Sequence, residues 1–520
     1  MTLNMAKQAQ RPCQSERRSS GAARGDYEAC VPYKKVWSLL VAAWKSTSLL
    51  LAMTPFLCRS LKLPDSGGAM LGQAGSSSGD CKDIIIEGGT LLSMVDGQLP
   101  LKNVSIVIRG ESIADIRVRD PKSPRPRNAQ IIDARETIIM PGLVNAHGHT
   151  AMTLFRGLAD DVPLKEWLFE KIFPAEAKHL KKETVYWGSL LGCVEMIASG
   201  TTTVSDGYFF QDATAEAFDR AGMRALVAQG VIDFPAPGVP DPRENLKAGK
   251  GFIEKWLHFS DRIRPGLFCH SLTTCSESTL RGAMEISEEF SLPLQMHLSE
   301  TSQEVNEVFL NTGRRPAFYL HDIGVANDHL IAVHAVHLDE PEMHLLAERK
   351  TRIVHVPESN MKLASGAAKT SQMLKMGLKV ALGTDGCASN NNLDLFQEMG
   401  TAAKLDKVFT SNPVNMDAAT VLKMATVWGA EVLGLERDIG TIEIGKKADI
   451  IIIDLEKPHL VPLYNPFSTL VYSANGADVR DVIINGRILM RDRKFQTIDT
   501  DEIMAEVKSI SERIKRTSLC

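Results

Sequence analysis

Two histidines one residue apart, His147 and His149, stand at the end of an apolar run, residues 136–144, that predicts a β-strand. Side chains two apart on a strand share a face, so both imidazoles can reach one metal ion. A lone His-x-His is equally a pair of surface residues in a turn, and the rest of the chain has to decide. Of the thirteen histidines, His270, His297 and His334 also fall at the ends of predicted strands, as does Asp385. Three or four imidazoles and a carboxylate around one open coordination position make a catalytic zinc or iron site, where a water ionises near neutral pH.

Such side chains need a frame that gathers strand ends. After the opening strand, the segments 201–206, 224–231, 264–270, 292–297, 330–334, 352–356 and 378–385 read as strands. Helical patterns lie between them, among them 163–180, 184–199 and 393–408. Eight such βα units in about 250 residues predict a closed parallel (β/α)8 barrel, an α/β fold whose functional residues lie at the C-terminal strand ends. Short strands without helices are predicted before it, at 83–92, 104–110, 113–117 and 131–133. A matching set follows it, at 440–449, 450–454, 479–485 and 486–490. The two ends are expected to pair in one small β-sandwich-like domain. The expected division is therefore an N-terminal extension at 1–80, a small β domain from 81–138 and 439–495, a metal-dependent barrel at 139–438, and a C-terminal helix or tail at 496–520.

At 520 residues, 44% hydrophobic and 23% charged, the chain can bury a large core. A net charge of -4 and a pI near 6.4 leave no electrostatic footprint for nucleic acid, so a small-molecule substrate is expected. A homo-oligomer stays open. Nine cysteines, an odd number without CxxC pairs, argue for reduced thiols and a cytoplasmic setting. The first eighty residues differ in kind, with ten Lys or Arg against five Asp or Glu and no histidine. Within them 36–57 is apolar apart from Lys45 and a few hydroxyls and follows Lys34 and Lys35, a pattern similar to a signal anchor or presequence. Residues 65–80 read as a Ser/Gly-rich linker. Three readings of the extension compete: a targeting or anchor segment, a disordered extension, or upstream sequence with Met70 as an internal start. Membrane contact is expected only if 36–57 is retained.

Several longer motifs go together. They are Pro-Gly-Leu-Val-Asn-Ala-His-Gly-His-Thr at 141–150, Met-Thr-Leu-Phe-Arg-Gly at 152–157, Glu-Trp-Leu at 166–168, His-Leu-Ser-Glu at 297–300, His-Ala-Val-His at 334–337, Ser-Asn-Met-Lys-Leu-Ala-Ser-Gly at 359–366 and Gly-Thr-Asp at 383–385. Over about residues 81–500 the chain resembles the amidohydrolase superfamily, and within it the 5′-methylthioadenosine/S-adenosylhomocysteine deaminases and their chlorohydrolase-like relatives.

The resemblance implies His147, His149, His297 and Asp385 as metal ligands. It implies one metal, because no lysine stands in the strand around Phe268 to bridge two, with Zn2+ first and Fe2+ as the alternative. His334 would be a proton-transfer group, Asp385 would accept the water's proton, and Glu300 would protonate the ring nitrogen beside the carbon under attack. Glu176 would hold the ribose hydroxyls, and His270 would reach purine or ribose. For an arginine facing a homocysteine carboxylate Arg243 is the nearest candidate, while Gln229 stands where some relatives carry another arginine, which leaves methylthioadenosine or adenosine open. His337 is read as structural. The reaction implied is hydrolytic deamination of an adenine nucleoside to the inosine analogue plus ammonia. A guanine or pterin deaminase, a triazine-type chlorohydrolase and a non-catalytic scaffold on the same fold are the alternatives.

Overall fold

The computed structural model describes residues 83–120, 122 and 128–518. The extension at 1–80, with its 36–57 segment, lies outside the described residues, among which no helix is long and apolar enough to cross a membrane.

The small sheet is built from β1 (Ile84–Leu91), β2 (Leu101–Arg109), β3 (Ser112–Val118), β4 (Gln130–Asp133) and β5 (Thr137–Pro141) near the start of the described chain. The barrel comprises β6 (Leu143–Gly148), β7 (Thr201–Tyr208), β8 (Arg224–Val231), β9 (Ile263–Cys269), β10 (Leu294–Leu298), β11 (Leu330–His334), β12 (Arg352–His355) and β13 (Lys379–Leu382). The chain then returns to the small sheet through β14 (Ile450–Asp454), β15 (Val479–Ile484), β16 (Arg487–Arg491) and β17 (Lys494–Phe495).

The sheet runs β17-β16-β15-β14-β5-β1-β2-β3, with β4 also paired to β1, so the two ends of the described chain meet where β14 lies antiparallel to β5. The unbroken isoleucine run of β14 follows from burial on both faces. Ile450 and Ile452 pack with Ile86, Ile106 and Ile139 in the sheet's own core, whereas Ile451 and Ile453 belong to the large core of the barrel and its helices. Two sequence expectations are refined here. The run 136–144 is two strands, β5 in the sheet and β6 in the barrel, parted at Gly142, where a Cβ would come within 2.1 Å of the Thr202 side chain. Segment 440–449 is not a strand, because its glycines Gly440 and Gly445 take positive φ, but it covers the free edge of β3 through Ile113 N–H to Lys446 O and Gly445 N–H to Ile113 O.

The barrel strands are parallel in sequence order from β6 to β13. Its seam closes through a bridge between Gly148 and Asp385, with the N–H groups of Thr384 and Asp385 both donating to His147 O at 3.1 Å. Asn145 adds side-chain hydrogen bonds to Thr384 Oγ1 at 2.7 Å and from Thr384 N at 3.1 Å. Gly383 is required there, since a Cβ would meet the His147 backbone at 2.8 Å. The predicted helix 163–180 is broken into Leu164–Glu166, a wide π turn Trp167–Ile172 and Phe173–His179. Pro174 cannot donate in the helical ladder, and the widened turn is the local answer. The C-terminal helix Thr500–Ser518 buries Ile503, Val507, Ile510 and Ile514, a helical stripe that packs beside the barrel.

Candidate metal centre and active-site cavity

The seam of the barrel brings strand ends from opposite ends of its sequence together. One ligand atom from each of His147, His149, His297 and Asp385 lies within 4.8 Å of the others. His147 is next to last in β6 and His149 follows that strand, His297 is near the end of β10, and Asp385 follows β13. All four expected ligands are therefore brought together.

The donor atoms are aimed. His147 Nδ1 donates to Gln295 Oε1 at 3.1 Å, and Gln295 Nε2 donates in turn to Ser205 Oγ. His149 Nδ1 donates to the Gly207 carbonyl. With their protons held on Nδ1, both rings present an Nε2 lone pair to the centre. His297 Nε2 stands 3.3 Å from His147 Nε2, and Asp385 Oδ1 stands 3.2 Å from His149 Nε2 and 3.7 Å from His147 Nε2. A buried group of acceptors this close fits a cation, and imidazole with carboxylate is a donor set for a divalent metal ion. The other oxygen of Asp385, Oδ2, accepts from Ser359 Oγ at 2.7 Å and Ser389 Oγ at 3.1 Å. Burial pushes the Asp385 carboxyl up, but the adjacent His147 and His149 imidazoles hold it well below its ordinary value. Burial, followed by the neighbouring imidazoles, holds His297 well below its ordinary value.

Beside the ligands, His334 ends β11 with a left-handed φ of 74°, and Asp385 has φ 58°. Such backbone strain in non-glycine residues is sustained only where the surroundings over-determine it. His334 Nδ1 donates to Asn360 Oδ1 at 2.8 Å, leaving Nε2 as a proton acceptor 3.7 Å from Glu300 Oε2. Glu300 Oε1 accepts from Ser365 Oγ at 3.0 Å. The ring of His270 lies 5.2 Å from that of His297, its Nδ1 paired with Thr274 Oγ1 at 2.9 Å, and burial followed by repulsion from His149 lowers its pKa to about 3.

These groups line one cavity with about 730 Å³ of empty space, its open mouth included. Glu176 reaches it from the Phe173–His179 helix, is 2% exposed, and accepts the Tyr208 hydroxyl at 2.5 Å. Burial raises its pKa to about 7 against the pull of that hydrogen bond. Arg243 is not brought to the cavity. Its side chain is 87% exposed and paired with Asp241 at 2.6 Å, because the 3-10 turn Pro242–Glu244 caps on Asp241 and carries the guanidinium into solvent. His337 donates to Ser365 O at 2.7 Å, as a structural residue would. Sequence reasoning gave no role to Tyr208, Ser389, Gln295, Ser359 or Asn360; Ser359 and Asn360 carried a signal as the start of the 359–366 motif, and Gln295 as the residue two before His297 on one strand face.

The amidohydrolase family model matches residues 138–489. The chain belongs to the amidohydrolase family. It is 45% identical over 435 residues to 5-methylthioadenosine/S-adenosylhomocysteine deaminase 1 of Syntrophus aciditrophicus, covering 84% of this chain and 98% of that one. It is 43% identical over 435 residues to 5′-deoxyadenosine deaminase of Methanosarcina acetivorans, covering 83% and 98%. The crystal structure of a zinc-bound adenosine deaminase from Xanthomonas campestris superposes with a TM-score of 0.81 at 36% identity, covering 84% of this chain and 99% of that one. The His/Asp cluster at the barrel end therefore sits in an amidohydrolase chain.

Proposed function

We propose that this amidohydrolase hydrolytically deaminates an adenine nucleoside, of the class of methylthioadenosine, S-adenosylhomocysteine or adenosine, to the inosine analogue and ammonia. The observation that carries the reading is the convergence of His147, His149, His297 and Asp385 with the Glu300–His334 pair at a cavity that is also lined by a buried carboxylate, Glu176. A single zinc ion, with Fe2+ as the alternative, held by those four residues would supply Lewis acidity that ionises water near neutral pH.

The chain's own groups do the rest. His334, with its Nδ1 proton tied to Asn360, offers Nε2 to take a proton near the attacked carbon, and Asp385 flanks the same point. Glu300, steadied by Ser365, delivers a proton to the ring nitrogen next to C6. Water would give one proton to His334 and add its oxygen to C6 as the C6–N1 π electrons pass to N1. Its second proton would pass by Asp385 to the amino group, and the C6–amino bond would break to release ammonia and leave a C6 carbonyl. The His334 proton would return to Glu300. Glu176 keeps Oε2 for the ribose hydroxyls because Tyr208 takes Oε1. His270, a neutral imidazole, presents the purine or ribose with a partner that carries no charge.

We take the expected barrel unit, 139–438 with its first strand β6 beginning at Leu143, as the part that carries the reaction, and the sheet unit as 81–138 with 439–495, extended to Pro141 by β5. The described cysteines Cys193, Cys269, Cys275 and Cys387 are free and buried, which supports a reducing, cytoplasmic setting. The test is ammonia release and the loss of adenine absorbance when zinc-loaded protein is given methylthioadenosine and adenosine, with guanine as control. Turnover abolished by chelator is expected; stoichiometric metal without turnover of any adenine nucleoside would overturn the proposal.

A further inference from the structure

We propose that Glu398, outside the cavity, is a positioning residue for the reaction: its one buried carboxyl grips the two chain segments that aim Asp385 and His334. This role rests on the deaminase reading above and adds to it a residue that touches neither substrate nor metal ligand.

Glu398 lies in the first turn of the helix Leu395–Thr410 and is fully buried. Its Oε1 accepts from Asn390 Nδ2 at 2.5 Å, and its Oε2 accepts from the Glu358 N–H at 3.3 Å. Each partner is the chain neighbour of a serine that holds Asp385. Asn390 follows Ser389 and Glu358 precedes Ser359; both hydroxyls donate to Asp385 Oδ2, and they stand 3.0 Å apart. The next residue, Asn360, accepts from His334 Nδ1. One side chain thereby ties the loop after β13 to the turn Pro357–Lys362, and with them the bearings of a carboxylate and an imidazole at the reacting end.

Both grips are reinforced. Asn390 Nδ2 also donates to the Thr384 carbonyl at 2.8 Å, next to Asp385. Thr401, three residues after Glu398 and so on the same helix face, donates to the Glu358 carboxylate at 2.8 Å, and Asn392 Nδ2 donates to its other oxygen at 2.9 Å. Burial, then the Glu358 charge, pushes the Glu398 carboxyl well above its ordinary value, and the two N–H partners pull it the other way. Two donors need two acceptor oxygens. Glutamine supplies one and leucine none, so the two substitutions release one segment and both segments respectively.

The experiment measures kcat, KM and bound zinc for the full chain, wild type and variants, with methylthioadenosine well below the melting temperature. Hydrogen–deuterium exchange is followed in parallel in peptides spanning 357–362 and 384–391. Glu398→Leu is expected to lower kcat per bound zinc at least about tenfold with KM within about threefold, since small misplacements of reacting groups cost rate. Exchange should quicken in both peptides. Glu398→Gln should lose less and quicken one peptide only. A purely structural residue would lower the melting temperature and leave kcat per bound zinc at the wild-type value, which would overturn the proposal, as would a change confined to KM or equal losses in the two variants. If Glu398→Leu does not fold, Asn390→Ala decides: a tenfold loss of kcat with faster exchange in 384–391 alone upholds the role, and wild-type kcat overturns it. If wild type turns over no adenine nucleoside, the deaminase reading fails on its own and exchange decides the grip: quickening of both peptides in Glu398→Leu upholds it, and quickening of one or neither overturns it.

Discussion

Glu300 and His334 face each other at 3.7 Å, and each has its other hydrogen-bonding atom fixed, by Ser365 and Asn360 respectively. That arrangement separates proton transfer from metal binding and makes the two roles testable apart. His297→Ala is expected to leave the purified protein with close to no bound metal and no deamination, read by elemental analysis. Glu300→Gln should keep its metal and lose about 10²–10⁴-fold in kcat; equal metal in wild type and His297→Ala would count against the ligand assignment. Glu176 bears on stability as well as binding. Burial moves its pKa from 4.5 to about 7, so the folded chain binds this proton more tightly than the unfolded one, and the group's contribution falls as pH rises through that window. In metal-free protein, Glu176→Gln should therefore match wild type near pH 4.5 in urea unfolding and gain about 3 kcal/mol over it by pH 8, since the amide still accepts the Tyr208 hydroxyl. A pH-independent difference would refute the buried-acid assignment.

Glu304 shows how an element aims a side chain. It lies in the first turn of the helix Ser302–Thr312, and its carboxylate reaches back to accept from Ser299 N at 3.1 Å and Glu300 N at 2.7 Å. Ser299 has φ 51°, so the chain turns sharply just before Glu300 and the carboxylate holds that turn. Glu304→Ala leaves two amides without an acceptor, a loss of about 1–3 kcal/mol. The expected outcome is a kcat reduced about tenfold with KM and metal content little changed, because Glu300 would wander while the ribose clamp and the ligands stay put. A rise in KM alone would place Glu304 elsewhere in the mechanism. The π turn Trp167–Ile172 serves the opposite wall in the same way, shifting the helical phase ahead of Phe173 and Glu176.

At the scale of the whole molecule, barrel and sheet are joined by a buried ion pair. Arg224, the first residue of β8, binds Asp449 bidentately at 2.7 and 3.1 Å and Asn485 at 3.0 Å, while Asn485 N donates to Asp449 at 2.7 Å. Both charged side chains are 3% exposed or less. Arg224→Ala strands the Asp449 charge and should cost about 3–5 kcal/mol in denaturant unfolding, whereas replacing both partners with apolar residues of similar size should cost far less. Additive single-mutant losses would argue that the pair is not coupled. The proposed metal ligands lie at and just after the end of β6, near the end of β10 and just after β13, so an ion held there would staple the barrel seam, and chelation should lower the melting temperature in proportion to the logarithm of free metal.

The sequence by itself determined the frame and the strand-end positions of the candidate ligands. Short apolar strand runs, eight βα units and histidines placed at strand ends are local patterns, and a parallel barrel necessarily collects the C-terminal ends of its strands at one face. That logic placed His147, His149, His270, His297, His334 and Asp385 at strand ends without any knowledge of distances, whereas Glu300 and Glu176 came from the family resemblance alone. Tertiary structure alone decided what stands beside them: Tyr208 on Glu176, Asn360 on His334, Ser359 and Ser389 on Asp385, and a cavity wall that Arg243 does not join. It also set the left-handed backbone at Ser299, His334 and Asp385, and it parted β5 from β6 at Gly142. The reason is physical: hydrogen-bond partners and cavity walls are chosen by packing between segments distant along the chain, and spacing along one strand or helix encodes only the face a residue shares with its near neighbours.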